Sequence, residues 1–138
     1  MESNRLLEVE IVTPQKIIFT GKATSTTVPG SMGPFQVLFN HAPIVSTLET
    51  GVVIIVDPDK KSTFYATGNG FAEIRQNKVS ILVESAVEAS EVNKEEITKI
   101  ISEKKELLKT LKSDEAAKLK TEILAAENQL KTAGKASS

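Results

Sequence analysis

Apolar and polar residues alternate in short bursts over the first part of the chain and follow a helical rhythm over the last. Residues 6–12 put Leu7, Val9 and Ile11 on one side and Leu6, Glu8, Glu10 and Val12 on the other, the period-two pattern of a half-buried strand. Thr13-Pro14-Gln15-Lys16 reads as a turn, and Ile17-Ile18-Phe19 as a short strand closed by Thr20-Gly21. Residues 22–28 are β-prone but mostly polar, with Ala23 and Val28 as the apolar members, and read as an edge or one-sided strand. A dense set of turn formers, Pro29-Gly30-Ser31-Met32-Gly33-Pro34, precedes an apolar run at 35–39 that stops at Asn40-His41-Ala42-Pro43. Asn40 tolerates left-handed backbone angles and Pro43 pushes Ala42 into an extended conformation, so the run at 44–48 leaves in a new direction. Strands follow at 52–56, 63–67, 71–75 and 79–83. Between them lie the polar hairpin loop 57–61, a tight turn at Gly68-Asn69-Gly70 and a turn at Gln76-Asn77-Lys78. This spacing, with no helical period before Glu88, predicts an antiparallel sandwich or barrel of about nine or ten strands.

The pattern changes after Ala89. No Gly, Pro or aromatic residue recurs until Gly134, and Lys, Glu, Ala and Leu take over. Asn93-Lys94-Glu95-Glu96 has the form of a capping box. Ile97, Ile101, Leu108 and Leu111 follow at heptad-like spacing, with Lys104 interrupting the stripe and Ile100 and Leu107 widening it. Lys112-Ser113-Asp114 breaks this helix, and Ser113 or Asp114 caps the next, whose seam is Ala116, Leu119, Ile123, Ala126 and Leu130. Gly134 reads as its C-terminal stop. The expectation is two antiparallel helices of about 17–18 residues, roughly 26 Å each. Their stripes are thin and partly alanine, so at about 25 cal/mol per Å² the hairpin should be held marginally and able to detach from a folded sandwich. The fold class is therefore mostly β plus α: a sandwich domain at 1–87 followed by a helical hairpin domain at 88–138.

Composition narrows the function. A net charge of −1 over 138 residues gives no field for nucleic acid or an anionic membrane. With no cysteine there is no disulfide, thiolate or zinc-finger chemistry. The opening Met1-Glu2-Ser3-Asn4-Arg5 lacks the apolar core of a secretory signal. The longest apolar run, VVIIV at 52–56, is far shorter than the roughly 20 residues that span a bilayer. The sequence thus predicts a soluble protein whose membrane association comes through partners. No catalytic constellation is present: the single histidine, His41, has no cysteine partner, no spacing singles out an acid/base pair, and no Gly-Lys-Ser/Thr phosphate loop occurs. His41 reads as a structural histidine bonding backbone at its turn, and Gly30-Ser31-Met32-Gly33 as a plain turn before a strand. The expectation is a protein that is not an enzyme and carries no cofactor and no metal.

The stretch GSMGPFQVLFNHAPIVSTLETG at 30–51, set in a sandwich followed by a helical hairpin, resembles the epsilon subunits of rotary F-type ATP synthases (called delta in mitochondria). The family's Gly-x-x-Gly turn, His-Ala-Pro and glycine before the next strand fall on Gly30, Gly33, His41-Ala42-Pro43 and Gly51. The Leu-x-Val-x-Ile-Val-Thr-Pro opening at 7–14, Phe19-Thr20-Gly21 and the GNGFAEI segment at 68–74, followed by Asn77 and Val79, are similar too. The chain departs from the family at Leu38-Phe39-Asn40, where Leu-Pro-Gly is usual, and at Gln36, where a glycine is expected; Asn40 replaces a left-handed glycine at modest cost.

The resemblance implies a non-catalytic central-stalk rotor subunit on the cytoplasmic face of a bacterial inner membrane. It would join the gamma subunit to the membrane c-ring for ATP synthesis coupled to proton transport. Met32, Phe39, Asn40, His41 and Pro43 are the implied contacts, with core packing the alternative for Phe39. The hairpin would reach the alpha and beta subunits and inhibit ATP hydrolysis. Lys99, Lys104, Lys105, Lys109, Lys112, Lys118 and Lys120 would supply the charge; a solvated helical face is the alternative, since acidic residues are interspersed. Some members bind ATP at the hairpin through an Asp-x-x-Arg-Ala motif and arginines on the second helix. Here Glu96, Ala125 and Gln129 stand at the arginine positions and no arginine follows Arg75, so ATP binding is expected to be weak or absent. The competing reading is a free-standing ligand-binding sandwich whose helical seam dimerises; with no Trp and only Tyr65, it is poor material for a carbohydrate platform.

Overall fold

The computed structural model describes residues 5–137; the opening residues 1–4, included in the signal-peptide reading, and Ser138 at the tail lie outside them. In chain order the strands are β1 (Leu7–Val12), β2 (Ile17–Ala23), β3 (Ser25–Val28), β4 (Phe35–Leu38), β5 (Ile44–Leu48), β6 (Gly51–Val56), β7 (Ser62–Thr67), β8 (Gly70–Arg75), β9 (Lys78–Val83) and β10 (Ala86–Glu88). A short 3-10 turn at Ala89–Glu91 leads to α1 (Lys94–Leu108) and α2 (Ser113–Ser137). The strands form two five-stranded sheets, ordered β2-β1-β9-β8-β5 and β10-β7-β6-β3-β4. All ladders are antiparallel except β1 with β9, which is parallel and stacks Val9 on Val79 and Ile11 on Ile81.

Alternation along the strands decides the core. Leu7, Val9 and Ile11 of β1, Ala72 and Ile74 of β8, and Val79, Ile81 and Val83 of β9 point inward and are buried. They meet Val28, Val37, Val53, Ile55 and Tyr65 from the second sheet. Each fully buried Leu or Ile contributes about 1.5–3 kcal/mol relative to exposure. Phe19 and Tyr65 close one side with rings 6.0 Å apart and tilted by 57°. Within this core Thr26 is fully buried in register with Val37 and Ile55, and its hydroxyl has no hydrogen-bond partner among the described residues.

Several expectations are corrected. Thr20-Gly21 does not close a strand: β2 runs on to Ala23 in register with β1, and Gly21 leaves room for the Phe19 ring, which a Cβ would approach to 3.0 Å. Gly68-Asn69-Gly70 is not a hairpin turn but a crossing from one sheet to the other. Gly68 N–H donates to Ser85 C=O and Glu84 N–H to Asn69 C=O, tying it to the later crossing before β10. A Cβ on Gly70 would strike the Leu82 carbonyl oxygen, so glycine is dictated by close packing on β9. β10 is absent from the sequence reading because its three residues show no alternation. By contrast, Gln76 and Asn77 both have positive φ, the geometry of a tight hairpin between β8 and β9.

The helices also differ in length from the expectation, at 15 and 25 residues. Asn93 caps α1 by accepting from the Glu96 amide at 3.0 Å. α2 begins at Ser113, so Ser113 and Asp114 lie in its first turn instead of ahead of it. Gly134 does not stop α2; its φ is not positive, and the helix continues through it. The extra length matters because α2 packs not only on α1 but also on β6, β7 and the 3-10 turn. Ile101, Leu119, Ile123 and Ala126 form the seam between the helices, backed by Ile97, Leu108, Leu111 and Leu130.

Replacing Thr26 by Val keeps the side-chain shape and removes the unpartnered hydroxyl. The unfolding free energy of Thr26→Val, measured in urea, should rise by about 1 kcal/mol; an unchanged or lower value would mean that the hydroxyl is already satisfied.

Candidate partner-binding surface

β4 and β5 are edge strands of different sheets, and the turn at 39–43 joins them, so both edges form one rim of the sandwich. The turn is rigid. Asn40 adopts φ 66°, and its amide donates to Asn77 Oδ1 at 2.6 Å, while Asn77 Nδ2 donates back to Asn40 Oδ1 at 3.3 Å. His41 N–H donates to Leu38 C=O at 3.1 Å, and its ring Nδ1 lies 2.7 Å from Ala42 C=O, a contact that puts the proton on Nδ1. The half-buried ring also lies 6.3 Å from that of Phe35. His41 is thus a backbone-bonded residue of the turn.

The β3–β4 loop reaches the same rim. Ser31 N–H donates to Thr47 C=O at 3.0 Å, and Thr47 Oγ1 donates to Ser31 Oγ at 2.9 Å, tying the loop to β5. A Cβ on Gly30 would fall 2.8 Å from the Gly33 carbonyl oxygen, so the tight loop needs glycine there. At its tip Met32 is fully exposed.

Of the sequence-predicted contacts, Met32, Asn40 and Pro43 are exposed, whereas Phe39 and His41 are half-buried. Four apolar side chains beside them were not singled out by sequence: Leu38, Ile44, Val45 and Phe71, all exposed, Val45 to 67%. Val45 pairs with Glu73 and Thr47 with Phe71, so Val45 and Phe71 are diagonal neighbours on the outer face. The available signal was parity: Phe71 takes the outward position of a strand whose Ala72 and Ile74 point in.

The lysines are scattered. Lys104, the interruption in the α1 stripe, is bonded to Glu122 of α2 at 2.7 Å, and Lys105 lies 3.4 Å from Glu127. Lys109, just past the end of α1, pairs with Glu106, also at 3.4 Å, and Lys99, Lys112, Lys118 and Lys120 are exposed. The Lys104 hydrogen bond and charge hold the Glu122 carboxyl below its ordinary value of 4.5. Tyr65 is pushed up to about 12, by burial first and then by the Glu88 and Glu91 charges, so its hydroxyl stays protonated at neutral pH. No group of three or more His, Asp or Glu among the described residues is placed to hold a metal ion.

Residues 6–89 match the family model described as ATP synthase, Delta/Epsilon chain, beta-sandwich domain. The chain belongs to the ATP synthase delta/epsilon family. A protein named ATP synthase epsilon chain from Campylobacter jejuni is 39% identical over 114 residues, covering 83% of this chain and 88% of that one. Another so named, from Campylobacter lari, is 37% identical over 112 residues, covering 81% and 86%. Among solved structures, Euglena gracilis mitochondrial ATP synthase (OSCP/F1/c-ring) contains a chain of the same fold, with TM-score 0.77 and 19% identity, covering 90% of this chain and 79% of that one. Family membership makes this a non-catalytic central-stalk subunit of an ATP synthase, associated with the membrane peripherally through the complex. The free-standing module is not favoured, because the match to epsilon chains runs well past the sandwich. Among the described residues no helix is long and apolar enough to cross a membrane.

The Lys104–Glu122 bond stabilises the hairpin above pH 4.5, and that contribution is lost as pH falls through the depressed Glu122 value. Helix content followed by circular dichroism from pH 7 to pH 3 should therefore show an acid loss of α1–α2 structure that is smaller in Glu122→Gln, whose partner cannot titrate. Identical profiles would remove this pair from the hairpin's acid response.

Proposed function

We propose that the rim formed by β4 and β5 is the surface through which this subunit grips the gamma subunit and the c-ring, on the cytoplasmic face of a bacterial inner membrane. One observation carries this: Leu38, Ile44 and Val45 are exposed beside a turn locked by Asn40, Asn77 and His41, and Met32 and Phe71 are exposed at the far end of the same two edges, where Ser31 and Phe71 meet Thr47. Apolar side chains gathered on one rim mark a surface that another protein covers. The turn needs no ordering on contact, which keeps the entropic cost of docking low. Within this surface Met32 is the tip contact, Asn40 and Pro43 hold its exposed outline, and Phe39 and His41 support it from below.

The hairpin is the regulatory arm. On this reading it opens toward the alpha and beta subunits and brakes ATP hydrolysis, and separating the helices frees Lys104 and Lys105 from Glu122 and Glu127 for acidic partners. ATP binding by the hairpin is expected to be weak or absent. Ala125 and Gln129, at the positions where arginines would hold phosphate, line a gap of only about 10 Å³ against Ala66, Thr67 and Gly68.

The double substitution Val45→Asp and Phe71→Asp in the full chain should weaken binding to the gamma subunit by roughly tenfold or more in calorimetry, because it puts charge into an apolar contact. The urea midpoint should hold, since both side chains face solvent; undiminished affinity would move the contact elsewhere.

Removing residues 92–138 should leave assembly and ATP synthesis intact and raise ATP hydrolysis by the assembled enzyme. Unchanged hydrolysis would leave coupling as the subunit's role and remove the brake.

A further inference from the structure

α2 meets the second sheet through small side chains. Ala125, Asn128 and Gln129 face Ala66, Thr67, Gly68 and Ser85, and Thr132 and Ala133 are buried further along the helix. Such residues let helix and sheet approach closely but bury few methylenes, so hydrophobic burial at this contact is weak. One polar interaction stands out in it: Asn128 Nδ2 donates to the Gly51 carbonyl oxygen at 2.7 Å, across 77 positions of sequence.

The acceptor of this bond is held, and its donor stands on a continuous stretch of α2. On the acceptor side, Gly51 is pressed against Pro29, where a Cβ would come within 2.6 Å of the Pro29 Cβ, and β6 pairs Gly51 with Thr67. The Thr67 hydroxyl approaches the same carbonyl from 3.5 Å, a longer contact. On the donor side, the Asn128 backbone carbonyl accepts from Thr132 Oγ1 at 2.8 Å within α2. A fixed carbonyl on the sandwich thus faces a side-chain amide carried on α2.

We propose that Asn128 is the latch of the hairpin: its bond to Gly51 sets the balance between the docked arm and a released one, with no small-molecule ligand required. This rests on reading the hairpin as a mobile arm, and it names the residue that holds the arm down. An amide neither titrates nor depends on salt as an ion pair does, so the latch works across the pH range in which Lys104–Glu122 varies.

The chain has no cysteine, so Lys61→Cys on the β6–β7 loop and Lys131→Cys on the exposed side of α2 place two spin labels selectively on the full-length protein. Pulsed electron paramagnetic resonance then reads the fractions of docked and released arm. Asn128→Ala removes the donor; Asn128→Asp keeps the size, removes the donor and sets a carboxylate against the carbonyl. Loss of one such bond should raise the released-to-docked ratio about fivefold in the Ala variant, and more in the Asp variant. Helix content and the urea midpoint of the sandwich should stay as in the parent. Unchanged distance distributions in both variants would overturn the latch, as would a loss of helix content equal to the loss of docking, which would make Asn128 a residue of helix stability. The readout uses the isolated chain, so it stands apart from the brake: the same variants assayed for hydrolysis in the assembled enzyme test that reading separately.

Discussion

Side chains from two sheets meet in one apolar layer, and the remaining features depend on which positions of each strand face it. With a period of two, a strand that commits Leu7, Val9 and Ile11 to the layer also commits Glu8 and Glu10 to the outside. A slip of one residue would exchange the two sets. Outward positions are therefore free of folding duties, and most carry charged or polar groups such as Glu8, Lys22, Glu73 and Lys78. An apolar residue at such a position does nothing for the core. That is why Val45 and Phe71 point to a second protein.

Five chain crossings between the sheets place the working parts. Three lie at 49–50, at Gly68-Asn69 and at 84–85, linked by Thr50 N–H to Asn69 Oδ1 and by Glu84 N–H to Asn69 C=O. The turn at 39–43 is a fourth, and it carries the rim. Its stiffness comes from Asn77, a residue of another hairpin altogether, whose side-chain oxygen accepts the Asn40 amide. The proposed contact surface is thus assembled from β3–β4, β4–β5 and β8–β9, three segments that meet only because both sheets are complete.

The hairpin is bound by interfaces of two kinds. Between α1 and α2 there is a seam of Ile and Leu with a buttoned edge, Lys104 to Glu122. Between α2 and the sandwich, among the described residues, there are small side chains and the Asn128 amide bonded to the Gly51 carbonyl. The first is the stronger, since apolar burial dominates. A disturbance therefore separates the hairpin from the sandwich more easily than helix from helix, which is what the proposed regulatory arm requires.

Local chemistry was legible in the sequence wherever it acts over a few residues. The alternating strands, the left-handed Asn40, the Asn93 cap and the Leu119, Ile123, Ala126 seam follow from side-chain geometry within a turn or two of chain. The resemblance carried by the stretch at 30–51 added the family, which spacing alone could not supply. What depended on partners distant in sequence was decided only by the tertiary structure. The parallel ladder of β1 with β9, the crossing at Gly68-Asn69 and the half-burial of Phe39 depend on which strand lies alongside, and burial at one site is set by the packing of all the others. Gly134 was misread for the same reason: a glycine ends a helix only if the chain there turns left-handed, and α2 instead continues past buried Thr132 and Ala133. The order of side chains limited what each segment could become; the closing of two sheets on one core determined which apolar residues were left facing outward.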